Sequence, residues 1–174
     1  HYVQESARIT EPALGAAGAL GMTTWKQAVI AARDGLKGKK TAVLLGTDLT
    51  QEEGKLVIEM AKTKLGDAPV FHFGTQGVST AAQDDAADPL LKRKSKTSNL
   101  HGIEKLGVAP FSSLPAGTQA VLVIRGGKAQ LPELGGVNVY GVGVFTREEA
   151  SRFAAVLPGQ AFTEKDGTVV NFQG

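Results

Sequence analysis

The sequence contains no cysteine among its 174 residues. This absence excludes disulfides, thiolate nucleophiles, cysteine-ligated zinc and iron–sulfur clusters held by these residues. Histidine is also scarce: His1, His72 and His101 are the only three, and no two of them have the spacing of a metal site. We therefore predict that this stretch of chain has no metal site, no bound cofactor and no catalytic residue.

An excess of charge of one sign is missing as well. Nineteen Lys and Arg residues stand against 17 Asp and Glu, and aromatic residues make up 6% of the chain. Nucleic-acid-binding surfaces need clustered cations or stacking aromatics, so we expect no nucleic-acid partner. No apolar run approaches the roughly 20 residues that span a bilayer, so we expect no membrane insertion. Because the chain begins at His1 rather than Met, we expect it to be a piece of a longer protein.

The residues that are present alternate between strand-like and helix-like segments. Thr24 with Gln27, and Thr50 with Glu53, have the spacing of capping boxes and predict two helix starts. The helical spacing predicts that Trp25, Ala28, Val29, Ala32 and Leu36 are buried in the first helix, and Leu56, Val57, Met60, Ala61 and Leu65 in the second. Apolar runs predict strands at Thr41–Leu45, Pro69–Phe73, Gln119–Ile124 and Val137–Val144.

Further elements follow from local signals. We predict an irregular lead-in over residues 1–22 and a single α/β domain over 23–174, with a short helix at Leu100–Leu106. A third capped helix is expected from Thr146, with Glu149 at the box position and Ala150, Phe153, Ala154 and Leu157 facing inward. Asp166-Gly167, between the β-prone runs Phe162–Lys165 and Thr168–Phe172, predicts a β-hairpin. The expected fold is an open, mostly parallel, Rossmann-like sheet with helices on both faces and a C-terminal hairpin.

Two loops are weak candidates for binding an anion. Gly46-Thr47-Asp48 lies between a strand and a helix start, where backbone N–H groups can hold a phosphate. Arg125-Gly126-Gly127-Lys128 combines two glycines with two cations after another strand. Neither matches a dinucleotide or P-loop motif, so we favour ordinary turns at both places.

Three other polar clusters have simpler interpretations. Asp84, Asp85 and Asp88 lack the spacing of a calcium loop and predict a solvated acidic segment. The basic cluster Lys92–Lys96 could contact an acidic partner or could be a soluble edge. Glu164 and Asp166 could form a carboxylate pair, but the turn itself explains Asp166.

Three segments carry a family resemblance: residues 157–171, residues 90–107, and residues 2–12 with Thr23-Thr24-Trp25. They resemble the molybdopterin oxidoreductase superfamily, and in particular its relative within bacterial NADH:quinone oxidoreductase (complex I), the molybdopterin-enzyme-like subunit. Residues 157–171 contain Leu-Pro, then Glu-Lys-Asp-Gly-Thr and an Asn, similar to a motif of that superfamily. Residues 90–107 are similar to a Lys- and Asn-containing stretch of the complex I subunit, although Ser95 and Ser98 replace the usual Asp and Pro. The opening residues 2–12, followed by Thr23-Thr24-Trp25 and Ala28, resemble the segment after the iron–sulfur region in that family.

The resemblance implies a reduced, cofactor-free relative of the molybdopterin oxidoreductase fold. It implies a non-catalytic structural role in the peripheral arm of a bacterial complex I, on the cytoplasmic side of the inner membrane, with the other subunits of the complex as partners. Iron–sulfur clusters would belong to the preceding part of the full-length chain. Two alternatives stay open: a fragment of an active enzyme such as a formate dehydrogenase, and a Rossmann-like nucleotide-binding module.

Overall fold

The computed structural model describes residues 8–16, 19–74, 97–127, 129–144, 152–171 and 174. Within these ranges the chain forms eight strands, three α-helices and a 3-10 helix. The strands are β1 (Ala13–Ala16), β2 (Ala19–Met22), β3 (Thr41–Gly46), β4 (Val70–Phe73), β5 (Ala109–Pro110), β6 (Ala120–Arg125), β7 (Asn138–Gly143) and β8 (Phe153–Pro158). The helices are α1 (Trp25–Leu36), α2 (Gln51–Lys64) and α3 (Leu100–Lys105), and the 3-10 helix is Phe162–Glu164.

The eight strands form one open sheet in the order β2-β1-β8-β7-β6-β3-β4-β5. Strands β3 to β8 run parallel, whereas β1 and β2 form an antiparallel hairpin that joins the sheet through β8. The chain runs outward from β3 to β5, returns to the other side of β3, and runs outward again from β6 to β8. This is the strand order of doubly wound, Rossmann-like sheets. The predicted α/β class with a mostly parallel sheet is confirmed.

The central strands are apolar because the sheet is covered on both faces. All six residues of β3 are buried. Val43 and Leu45 join the core beneath the helices, whereas Leu44 joins the core on the opposite face. This alternation explains why the sequence shows a continuous apolar run here rather than an alternating one.

The three α-helices pack on one face of the sheet. Leu36 of α1, Val57 and Ala61 of α2, and Ile103 of α3 belong to the same buried cluster. Among the described residues, the opposite face is covered by non-helical segments, which include Ile9 and, from the link between β6 and β7, Leu131 and Leu134. The prediction of helices on both faces is therefore not met within the described residues. The β6–β7 link contains Pro132 and several glycines, which disfavour a helix.

The two halves of the parallel sheet use opposite faces for their crossovers. The β3–β4 crossover places α2 on the helix face, and the β6–β7 link covers the other face. Because the halves also run in opposite directions from β3, both crossovers have the same hand. The link between β6 and β7 has no helix among its described residues, and it is still long enough to connect two parallel strands.

Both capping boxes are confirmed, but the buried stripes are narrower than predicted. Thr24 accepts from the backbone amide of Gln27, and Thr50 from that of Glu53. Trp25 and Val29 of α1 and Leu56 of α2 are exposed rather than buried. Apart from Leu36, the residues of α1 that approach the sheet are small, and a Cβ on Gly35 would collide with the Tyr140 ring. Because α1 packs close to the sheet along these small residues, the larger side chains beside them, Trp25 and Val29, remain exposed.

The predicted irregular lead-in is wrong for residues 13–16 and 19–22, which form the β1–β2 hairpin at the sheet edge. Its Ala-Leu-Gly-Ala and Ala-Leu-Gly-Met segments have weak strand propensity. Pairing with β8 supplies the order that the local sequence does not.

The predicted third helix is wrong within the described residues, because Phe153–Pro158 is strand β8. A short apolar run such as Phe-Ala-Ala-Val-Leu fits a buried strand as well as a helix. The pairing of β7 with β8 shifts by one residue at Ala154, which makes a bulge. Thr146, Glu149 and Ala150 lie outside the described residues.

The predicted C-terminal hairpin is also wrong. Residues 162–164 form a 3-10 helix, and residues 165–171 belong to no strand. Backbone groups of Thr168 and Val170 bond instead to α2 and to Asn99.

Candidate functional site

The two loops proposed as anion sites meet at the middle of the sheet. Gly46-Thr47-Asp48 follows β3 and Arg125-Gly126-Gly127 follows β6, and these strands are parallel neighbours. This is the point where the strand order reverses, which is the ligand-binding crevice of open α/β sheets. The structure therefore brings the two sets of candidates together. Lys128 lies outside the described residues.

The glycines at this crevice let the two loops pack against each other. A Cβ on Gly126 would lie 2.9 Å from the carbonyl oxygen of Asp48. A Cβ on Gly127 would collide with the Asp48 carboxylate, and the same carboxylate accepts from the amide of Ser98 at 3.3 Å. Asp48 thus occupies the space where a glycine cradle would hold a phosphate, and its negative charge opposes an anion there.

Arg125 points away from this crevice. Its side chain is buried on the face opposite the helices, where it lines a small cavity with Ile9, Val142 and Phe153. Nη1 donates to the carbonyl oxygen of Ala129 at 3.2 Å. Of the predicted Arg-Gly-Gly-Lys cluster, therefore, the described part contributes glycines and no cation to the crevice.

The N-terminus of α2 is covered by the chain's own C-terminal residues, which we name the C-terminal strap (residues 161–171). The amide of Gln51 donates to the carbonyl oxygen of Thr168 at 2.9 Å. In return the amide of Thr168 donates to the Glu52 carboxylate at 2.9 Å. The amide of Glu53 is taken by the hydroxyl of Thr50. The helix-start groups that could bind an anion are therefore used within the chain.

Two ion pairs and one partly buried hydrogen bond hold the C-terminal strap. Lys165 Nζ lies 2.6 Å from Glu53 Oε2, with the Lys165 side chain nearly buried. Arg8 pairs with Glu164. The amide of Val170 donates to the side-chain oxygen of Asn99 at 2.7 Å. The strap therefore connects the region before β1 with α2 and with the residue that precedes α3.

Asn99 is a residue whose role the sequence did not reveal. It is fully buried, and its Nδ2 donates to the carbonyl oxygen of Leu49 at 2.7 Å. Its backbone amide donates to the carbonyl oxygen of Thr47 at 3.0 Å. Asn99 stands at the N-cap of α3 but makes no side-chain capping bond, because its side chain is directed to the β3–α2 loop and the strap. The local signal at this position, an Asn directly before a short helix, is typical of an N-cap and does not indicate these long-range contacts.

Hydrogen bonds from the strap stabilise charged carboxylates at this edge. The Thr168 amide donates to Glu52 and, with other hydrogen bonds at the helix start, lowers the pKa of that carboxyl to about 2. The Arg8 guanidinium likewise lowers the pKa of Glu164. Asp48, Glu52 and Glu53 therefore place carboxylates where a nucleotide phosphate would bind. The cation of Lys165 is already paired with Glu53.

His72 lies apart from the crevice, on β4 beneath α3. Its side chain is 1% exposed, and its two ring nitrogens have no hydrogen-bond partner among the described residues. Burial lowers its pKa, opposed by Glu104, whose Oε1 lies 3.9 Å from Nε2. His101 Nδ1 lies 3.7 Å from the same carboxylate. Within the described ranges, no group of three or more His, Asp or Glu residues is placed to hold a metal ion.

The remaining predicted polar residues fall into two groups. Asp84, Asp85, Asp88 and the basic cluster Lys92–Lys96 lie outside the described residues. Asp166 is exposed, and Glu164 is committed to Arg8 and to the backbone amide of Ala161. Glu164 therefore helps to anchor the strap. These contacts do not support the interpretation of Glu164 and Asp166 as a carboxylate pair.

The chain matches no model of a protein family and no curated relative. None of the helices in the described part of the chain is long and apolar enough to span a membrane.

Proposed function

We propose that the chain is a non-catalytic scaffold domain from the molybdopterin-enzyme-like subunit of a bacterial NADH:quinone oxidoreductase. It would be a reduced, cofactor-free version of the molybdopterin oxidoreductase fold, at the cytoplasmic side of the inner membrane. Electrons would pass through iron–sulfur clusters in the preceding part of the full-length subunit. The other subunits of the complex would be its partners.

The observation that carries this proposal is the C-terminal strap on the crevice of the sheet. A Rossmann-like strand order provides one ligand-binding edge, at β3 and β6. Here that edge is filled by Asp48 against Gly127 and by Thr168 on the first turn of α2. The strap contains the Glu-Lys-Asp-Gly-Thr string on which the resemblance mainly rests. A segment that closes the binding edge supports a structural use of the fold.

The formate-dehydrogenase alternative fits the crevice poorly. It requires pterin-phosphate contacts at Gly46-Thr47-Asp48 or around Arg125. The negative charge of the Asp48 carboxylate opposes a phosphate there. The Arg125 side chain lies on the face of the sheet opposite the helices, where it cannot neutralise a phosphate in the crevice. We therefore prefer the scaffold function.

The test is metal and activity analysis of the full-length protein purified from membranes of its native host. We expect stoichiometric iron, co-purifying NADH:quinone oxidoreductase activity, and no molybdenum or tungsten. A preparation with one molybdenum or tungsten per chain would contradict the proposal. So would a preparation from which both iron and NADH oxidation are missing.

The second candidate is a nucleotide-binding module, which the strand order favours. A ligand that binds only the folded chain raises its melting temperature in a saturable way. We expect no shift of the 174-residue chain with NADH, NADPH, FAD or ATP, because the crevice groups are already bonded. A saturable shift with one of them would favour the nucleotide-binding function over the scaffold.

A further inference from the structure

Helix α1 exposes three large apolar side chains to solvent. Trp25 is 53% exposed, Val29 47% and Ile30 37%. They are three of the six large hydrophobic residues that stand exposed in the described part of the chain. Isolated exposed apolar residues are normal, but a group of them on one element marks an interaction surface.

Three cations lie between these apolar side chains on the same side of α1. At about 100° of rotation per residue, Lys26, Val29, Ile30, Arg33 and Lys37 fall within an arc of roughly 100°, with Trp25 next to Val29. Lys26, Arg33 and Lys37 are exposed. Asp34 is the only acidic residue of the helix, and it pairs with Arg33 at 2.8 Å. We name these six residues, Trp25, Lys26, Val29, Ile30, Arg33 and Lys37, the α1 face.

We propose that the α1 face binds an acidic segment of a partner protein that also carries apolar side chains. Trp and Arg are enriched in the buried centres of protein interfaces, where apolar contacts supply affinity and charges select the partner. The surplus of cations on this face selects carboxylates. The inference goes beyond the proposed function, since it holds for any assembly that places such a partner on α1.

A protein partner suits this surface better than a membrane does. Helices that lie on membranes separate a wide apolar face from a charged face. On α1 the apolar and basic residues are interleaved, and the opposite side of the helix is occupied by packing on the sheet. An interleaved pattern matches a partner segment whose Leu and Glu side chains are also interleaved.

Trp25 provides a direct reporter, because it is the only tryptophan of the chain. We would titrate the 174-residue chain with a helical peptide of Leu and Glu, and with its counterpart in which Lys replaces every Glu. We expect a saturable blue shift of Trp25 emission with the Glu peptide that weakens as salt is raised, and none with the Lys peptide. No shift with the Glu peptide, or equal shifts with both, would overturn the proposal.

Vesicles and dilution separate the other occupants. A shift with phosphatidylglycerol vesicles but not with the Glu peptide would overturn the proposal in favour of a membrane surface. A blue shift that grows with protein concentration alone, together with dimers in sedimentation, would overturn it in favour of a second copy of the chain.

Matched variants test the position of the site. Lys26→Glu with Lys37→Glu should weaken binding of the Glu peptide by about tenfold or more, since charge reversal turns attraction into repulsion. Val29→Ser should weaken it as well. Leu56→Ser on α2 is the control, because Leu56 is 66% exposed and lies on a different helix. If the control weakens binding as much as the α1 variants do, the proposed site is wrong.

Discussion

Asn99 joins three parts of the molecule through one buried side chain. Its side chain bonds Leu49 and Val170, and its backbone bonds Thr47 and Ile103. Removal of the side-chain amide would leave the buried carbonyl of Leu49 and the partly buried N–H group of Val170 without this partner, and each such loss costs about 1–3 kcal/mol. The residue therefore acts as a structural pin for the crevice.

We expect Asn99→Ala to lower the free energy of unfolding by about 2–4 kcal/mol, because one buried and one partly buried backbone group lose their partner. Urea denaturation followed by circular dichroism measures the change. Asn138→Ala is the matched control, because Asn138 is exposed at the start of β7. Equal effects of the two variants would show that the buried hydrogen bonds of Asn99 do not stabilise the fold.

His72 makes the stability of the chain depend on pH. Burial lowers its pKa in the folded chain, so the unfolded chain binds the proton more tightly. The stability is then fully present above the unfolded pKa, about 6.5, and is lost as the pH falls from there through the folded pKa. The nearby carboxylate of Glu104 reduces this loss without cancelling it.

We therefore expect His72→Leu to flatten the stability profile between about pH 5 and 7, where an unperturbed histidine titrates. Urea midpoints measured across that range test this directly. His101→Leu serves as the comparison, because His101 is exposed. A His72→Leu profile as steep as that of the unmodified chain would mean that another group carries the pH dependence.

Among the elements, the strap and α2 form one unit that the local sequence could not predict. The capping boxes at Thr24 and Thr50 were predictable because their partners lie three residues away. The contacts of the strap, such as Lys165 with Glu53, join residues more than a hundred positions apart. Asp166-Gly167 has the local signature of a hairpin. The residues that follow it, Thr168 and Val170, bond instead to α2 and to Asn99.

Strand β8 shows the same limit in another form. Phe-Ala-Ala-Val-Leu is apolar throughout, and no local signal separates a buried strand from a buried helix. Its place beside β7 decides the matter, and it also gives order to the weak β1–β2 hairpin. The two candidate loops meet because β3 and β6 are neighbouring strands. How the loops pack against each other depends on how close Gly127 comes to Asp48.

Deletion of the strap gives a prediction for α2. In the whole chain the amide of Thr168, together with other hydrogen bonds at the helix start, keeps the pKa of Glu52 at about 2. In a chain that ends at Gln160 we expect this pKa to rise toward the ordinary range, about 4.3. The lowered pKa stabilises the folded chain above the ordinary value, and this contribution is lost as the pH falls toward about 2. Carbon-13 NMR titration of the carboxyl carbon measures it, and an unchanged value after deletion would contradict the role of the strap.

For the whole molecule, the sheet order predicts a gradient of stability. β3 and β6 are neighbours at the centre, and nearly all of their residues are buried. β2 and β5 are the two edges: β2 is mostly exposed, and β5 consists of two exposed residues that end in a proline. Amides open more readily where few apolar contacts cover them.

We expect hydrogen exchange to be slowest in β3 and β6, intermediate in β7, β8 and β4, and fastest in β2 among the strands. Mass spectrometry of peptic peptides measures this order. Deletion of residues 161–174 should speed exchange at the first turn of α2 and in the loop 47–50, because Gln51 and Asn99 lose their partners on the strap. Exchange in β7, which has no bond to the strap among those described, is the internal control. If the deletion speeds β7 and α2 equally, the strap stabilises the whole fold rather than closing the crevice.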